Sequence, residues 1–138
     1  MGYGLPAAIA AKLASPGQTV VNFAGDGCFM MTCQELATAM MYELPIVTVL
    51  VNNGMYGTIR MHQEREYPAR VVGTQLRNPD FAAFARSFGA HGETVTRTEE
   101  FAPALARALA SGVAAVIEVK TDPEAISVRQ TITQLRGK

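Results

Sequence analysis

Hydrophobic and polar positions fall into blocks of strand and helix length along this chain, and the blocks alternate. "TVVNFAG" (Thr19 to Gly25) has almost no polar alternation, which predicts a strand buried on both faces. "IVTVLVNN" (Ile46 to Asn53) is a second such run, rich in β-branched residues, and "AAVIEVKTD" is a third. Between the first two, Leu36, Ala39, Met40 and Leu44 recur near helical spacing up to Pro45, with Thr32 and Glu35 placed as a capping box. Pro6 with "AAIAAKLA" predicts an earlier helix, stopped by Ser15-Pro16-Gly17. Asn78-Pro79-Asp80 reads as a capping Asn with Pro in the first turn of a further helix. Its apolar stripe is Phe81, Phe84, Ala85 and Phe88, a core stripe, and Gly89 ends it. Glu93 to Val95 fits a short strand, and Phe101, Leu105 and Leu109 mark a last helix whose start Pro103 blurs.

Strand, helix, strand in this order makes a right-handed crossover between parallel strands. The fold class is therefore α/β, three-layer α/β/α with a mostly parallel sheet covered on both faces. Residues 1–123 read as one domain, and 124–138 as a polar tail, either a docking arm or disordered.

Charge changes the picture in one respect. Residues 1–57 hold one basic residue (Lys12) and three acids (Asp26, Glu35, Glu43), whereas the remaining 81 residues carry the other 20 charges. The first part has the composition of core and site, the second of surface. A net charge of zero calls for neither nucleic acid nor an anionic membrane. With no transmembrane run and no leader, the expectation is a soluble cytoplasmic protein. Cys28 and Cys33 match no zinc or redox spacing and read as two buried thiols in a reducing compartment.

Asp26 stands between two glycines at the end of the first strand, and Asn52-Asn53-Gly54 ends the second. Ligands bind at that edge of an open α/β sheet. The helix capped near Thr32 would aim its N–H groups at the same rim and favour an anion. A carboxylate beside a phosphate requires a divalent cation between them. One carboxylate, one amide oxygen, a backbone carbonyl from the Asn53-Gly54-Met55 turn, two phosphate oxygens and a water would complete the octahedron of Mg²⁺. Either cluster alone is ordinary turn chemistry. The pair, separated by the 24 residues from Cys28 to Val51, is more specific, because one crossover helix and one strand fill that gap.

Gly25-Asp26-Gly27, the gap and Asn52-Asn53 resemble the diphosphate-binding motif of thiamine diphosphate-dependent enzymes. "MGYGLPAAIAAKLA" is similar to the segment upstream of that motif in acetolactate synthase-like proteins, and the resemblance runs from Met1 to about Thr121. It implies the thiamine diphosphate-binding fold. It also implies Mg²⁺ ligands at Asp26, the Asn53 side chain and the Met55 carbonyl, and diphosphate donors at the Gly27 and Cys28 N–H groups. Met1 would prop the bent cofactor, or is simply an initiator residue; Gly25, Tyr56 and Gly57 complete the implied cofactor-binding set. In "MYGTIRMHQEREYP", where the family places substrate-facing residues on a mobile element, His62 is either a proton donor or a solvated surface residue. Gln63 and Tyr56 stand open in the same way, and His91 reads as surface. Acetohydroxyacid synthases carry Trp at the position matching His62 and usually Val where Ile59 stands; this chain has no Trp.

In the family this domain begins one or two elements before "MGYGLP", as the C-terminal third of a longer chain, and the glutamate that activates the cofactor lies on a separate pyrimidine-binding domain. The resemblance therefore implies an N-terminally truncated half of a site, which alone binds Mg-thiamine diphosphate weakly or not at all and does no chemistry. Its parent would be a decarboxylase or carboligase, a lyase or transferase acting on a small 2-oxo acid or aldehyde. The pyrimidine-binding domain would come from another chain or from the missing part of the parent. The surface bared by the missing parts, around "GYGLPAAIAA" and along Glu35 to Tyr42, implies a homo-oligomer. Two alternatives stay open: the small subunit of a split 2-oxo acid decarboxylase, and a non-catalytic thiamine diphosphate-binding or assembly module. A doubly wound nucleotide-binding protein is a further class, but neither GxGxxG nor GxxxxGK[ST] occurs.

Overall fold

The computed structural model describes residues 1–137; Lys138, the last residue of the predicted tail, lies outside them. Helix α1 (Gly4–Ala14) leads into strand β1 (Val20–Gly25). A crossover of α2 (Asp26–Phe29), a 3₁₀ turn (Cys33–Glu35) and α3 (Leu36–Met41) then reaches β2 (Ile46–Asn52). After α4 (Gly57–Glu66) and α5 (Phe81–Ser87) come β3 (His91–Val95), α6 (Thr98–Ala110), β4 (Ala115–Lys120) and α7 (Ile132–Arg136). The four strands form one parallel sheet in the order β1-β2-β4-β3. No helix among the described residues is long and apolar enough to cross a membrane.

Alternate residues of the strands feed two cores. Ile46, Leu50 and Val116 pack with Leu5 and Ile9 of α1, Leu36 and Ala39 of α3, and Phe81 and Ala85 of α5. On the opposite face Val47, Ala115 and Ile117 meet Ala104 and Ala108 of α6. The Phe stripe is core as expected: Phe29 meets Phe81 and Phe84 edge-on, with ring centroids 5.7 and 6.4 Å apart.

Several local expectations need correction. β1 is not buried on both faces, because Val21 and Phe23 are exposed on one of them, and Cys28 and Cys33 are half-buried. The crossover is not one helix capped at Thr32: the Thr32 hydroxyl donates to the Gly2 carbonyl (2.9 Å) and the Glu35 carboxylate accepts from Thr38 (2.8 Å), so no capping box forms. Helical structure begins instead at Asp26, directly after the strand. Asn78 does not cap α5; Asp80 does, its Oδ1 accepting from Ala83 N at 2.8 Å. His91 is the first residue of β3 and half-buried, with Nε2 2.7 Å from Glu93 Oε1. Pro103 lies inside α6, whose start is fixed upstream by the Glu100 carboxylate accepting from the Thr96 and Arg97 N–H groups.

Candidate functional site

β1 and β2 run parallel, with Gly25 paired to Val51, so the segments leaving their carboxyl ends emerge side by side. After β1 the chain turns into α2 at Asp26; after β2 it turns at Gly54, whose φ of +71° suits glycine. The second turn is held from outside. Met55 bridges Gln75, and bonds from Tyr56 N to Thr74 O and from Leu76 N to Gly54 O, both 2.8 Å, fix the peptides on either side of Met55.

Between these turns lies a cavity of about 490 Å³. Met1, Gly25, Asp26, Gly27 and Cys28 line it from one side; Asn53, Met55, Tyr56 and Gly57 line it from the other. The structure thus brings every sequence-predicted cofactor and metal residue to one hollow. His62 does not line it: it is on the exposed side of α4, with Nδ1 against the Arg65 guanidinium. Gln63 is tied to Val72, donating to its carbonyl at 2.9 Å and accepting from its N–H at 3.1 Å.

Asp26 is the charged centre, only 2% exposed. Its Oδ1 accepts from Gly27 N (2.9 Å), and its Oδ2 from Gly54 N (2.9 Å) and Asn78 Nδ2 (2.7 Å). A buried carboxylate needs such donors, since burial without them costs several kcal/mol. The Asn53 Oδ1 accepts from Met55 N at 3.1 Å and keeps a second lone pair. Packing is close around these groups. A Cβ on Gly27 would come 2.4 Å from Tyr56 Cε1, and one on Gly57 would come 2.8 Å from Asn53 Nδ2. A Cβ on Gly25 would meet nothing within 4 Å, so the hollow is open above that glycine.

Behind the turn sits a polar network absent from the sequence-derived site. Asn52 Nδ2 donates to Glu118 Oε1 (2.6 Å), while Asn52 Oδ1 accepts from Gly54 N and Asn78 Nδ2, both at 3.0 Å. Glu118, 1% exposed, is further held by Lys120 Nζ (2.6 Å) and Thr94 Oγ1 (3.0 Å). The signal in sequence was the single acid inside the apolar run "AAVIEVK". Asn78 gave no signal of its own, because it also fits a helix cap. Ile126, from the segment after β4, closes part of the cavity wall. That segment is anchored by α7: Arg136 Nε and Nη2 donate to Glu64 of α4 at 2.9 and 2.7 Å. Arg136, with Ala69 N and Arg60 adding to it against the cost of burial, lowers the Glu64 carboxyl to a pKa of about 2.

The donor set is hard oxygen throughout: one carboxylate, one amide and one peptide carbonyl, which fits Mg²⁺. Among the described residues no three His, Cys, Asp or Glu side chains cluster as a metal site. Three protein oxygens would leave positions of an octahedron for phosphate oxygens of a ligand or for water.

Comparison with known proteins agrees with this chemistry. Residues 1–119 match the family model described as "Thiamine pyrophosphate enzyme, C-terminal TPP binding domain". A Bacillus subtilis (strain 168) protein, YdaP, described as thiamine pyrophosphate-containing, is 46% identical over 119 residues, covering 86% of this chain and 21% of that protein. The acetolactate synthase isozyme 2 large subunit of Escherichia coli (strain K12) is 42% identical over 123 residues, covering 88% of this chain and 22% of that subunit. Among solved structures, the thiamine diphosphate-dependent 4-hydroxybenzoylformate decarboxylase of Rhodococcus jostii RHA1 superposes with a TM-score of 0.82 at 35% identity, covering 88% of this chain and 23% of that one. The chain spans about a fifth of the length of the curated relatives.

Proposed function

Because this chain belongs to the thiamine pyrophosphate enzyme family, as a C-terminal cofactor-binding domain, we propose that it binds the diphosphate end of thiamine diphosphate through Mg²⁺. In this reading Asp26, Asn53 and the Met55 carbonyl hold the cation, and the Gly27 and Cys28 N–H groups donate to the diphosphate. Gly25 leaves room for it, Met1 supports the bent cofactor, and Tyr56 and Gly57 shape the wall. The observation that carries the reading is the convergence of Asp26, Asn53 and Met55 on one cavity at the carboxyl ends of β1 and β2.

Thiamine diphosphate held here would supply a carbon nucleophile and an electron sink. The parent activity is decarboxylation or carboligation of a small 2-oxo acid or aldehyde, by a lyase or transferase. This chain's residues hold the metal and shape the site, with Ile126 on its wall. A pyrimidine-binding domain, on another chain or elsewhere in the parent protein, supplies the other wall. His62, on the solvent side of α4, serves as a proton donor only where that partner covers it. The chain by itself binds cofactor weakly and without turnover, and it self-associates in the cytoplasm.

Competition between thiamine diphosphate and ADP, each with Mg²⁺, tests the cofactor assignment. Thiamine diphosphate is expected to displace ADP. Preferential retention of ADP would contradict it, and turnover of a 2-oxo acid by the pure chain would contradict the half-site reading.

A further inference from the structure

An ionised carboxylate offers about four lone-pair positions, two on each oxygen. At Asp26 both positions on Oδ2 are used, by Gly54 N and Asn78 Nδ2, whereas Oδ1 accepts only from Gly27 N. We propose that Asn78 is a positioning residue: backed by Asn52 and Glu118, it occupies Oδ2 of Asp26 and leaves Oδ1 as the oxygen offered to a cation. The proposal rests on the reading of Asp26 as a cation ligand. Asn78 does not line the cavity, so it acts through Asp26.

The orientation of each amide in this chain of bonds follows from its neighbour. The Glu118 carboxylate, paired with Lys120, can only accept, so Asn52 must turn its Nδ2 toward it, at 2.6 Å. The Asn52 oxygen then faces the other way, toward Gly54 N and Asn78 Nδ2, both 3.0 Å away. Facing two acceptors, Asn52 Oδ1 and Asp26 Oδ2, Asn78 must present its NH₂ group. The bond from Gly54 N, shared between Asp26 and Asn52, ties the same network to the turn that carries Asn53 and Met55. Asp26, Asn52 and Glu118 are 2%, 6% and 1% exposed and Asn78 is half-buried, so the acceptors of these bonds are largely shielded from water. Three candidate ligands are thus registered by one amide chain that ends on β4. Partners of this kind typically change metal affinity about 10- to 100-fold.

The test uses the full chain and its Asn78→Ala and Asn78→Leu variants, the latter keeping bulk without the amide. Thiamine diphosphate is titrated calorimetrically at a series of Mg²⁺ concentrations, with thermal unfolding of each apo protein alongside. The expected result is a Mg²⁺ midpoint raised at least about tenfold in both variants, with cofactor affinity recovering at saturating Mg²⁺ and a lowered but still cooperative thermal transition, since Asp26 and Asn52 each lose a donor. Asp80 caps α5 independently of Asn78, so the helix should survive the change. A Mg²⁺ midpoint unchanged in either folded variant overturns the positioning role while leaving the cofactor reading intact. No binding by the unmutated chain overturns the cofactor reading and the positioning role with it. A readout that needs no variant is the side-chain amide resonance of Asn78 in the unmutated chain: Mg²⁺ added with thiamine diphosphate should move it, and a resonance that stays in place where calorimetry shows binding overturns the proposal.

Discussion

Gly57 separates the demands of folding from those of the site at the level of one atom. It opens α4, where Ala is the better helix former, yet a Cβ there would sit 2.8 Å from Asn53 Nδ2. Gly57→Ala is therefore expected to leave thermal stability within about 0.5 kcal/mol of the parent, while weakening metal-dependent cofactor binding by displacing the Asn53 amide. Equal losses in unfolding temperature and in calorimetric affinity would contradict this. Asp26 and Asn53 were legible in the sequence because each ends an apolar strand beside glycine, and the gap between them is one crossover long. Asn78 was not, because Asn-Pro-Asp satisfies the same capping pattern from two positions. Asp80 takes the cap, which frees Asn78 for the bond to Asp26. Glu118 was visible as an acid in an apolar run, but its partners Asn52 and Thr94 lie on two other strands, and pairing across a sheet cannot be read from local pattern.

Among the elements, the crossover and the tail depart furthest from expectation. Thr32 and Glu35 have capping spacing, but the contact of Thr32 with Gly2 is tertiary and overrides it. Over its described part the tail packs on the chain itself: buried Ile132 and Leu135 seat α7, and Arg136 grips Glu64, which is fully buried. That grip depends on pH. The Glu64 pKa falls from 4.5 to about 2 on folding, so its contribution is complete above about pH 4.5 and is lost as pH falls toward 2. Amide exchange protection at Ile132 to Leu135 should decline through that window, and Arg136→Ala should lower it already at neutral pH. Protection unchanged by either treatment would show that α7 is held by its apolar contacts alone. In the turn after α4, Ala69 has φ +61° while its N–H binds Glu64 Oε2 at 2.9 Å. Ala69→Gly should raise stability by about 1 kcal/mol in denaturant unfolding, by relieving the left-handed conformation. A loss of stability would mean that the strain is already relaxed by the surrounding turn.

The whole molecule shows an α/β sheet whose order of strands and helices was legible from apolar blocks, while the exposure of one face of β1 was not. β1 is an edge strand, and Val21 and Phe23, 41% and 72% exposed, point to the face that α6 covers only over the far strands. Tyr3, Met41 and Tyr42 are also exposed, in the segments where bare surface was expected. Exposed apolar groups of this kind favour association. Sedimentation should show a dimer or larger species, shifted toward monomer by Phe23→Glu; a monomer for the unmutated chain at micromolar concentration would contradict that expectation. The association and the cofactor site meet in one claim, that this chain presents a formed Mg²⁺–diphosphate half-site awaiting its other wall. Calorimetric titration of thiamine diphosphate with Mg²⁺ into the purified chain, beside Asp26→Ala and a metal-free control, tests it most directly. The account predicts binding that requires Mg²⁺ and disappears in Asp26→Ala; binding that persists without metal or in the variant, or no binding at all, would contradict it.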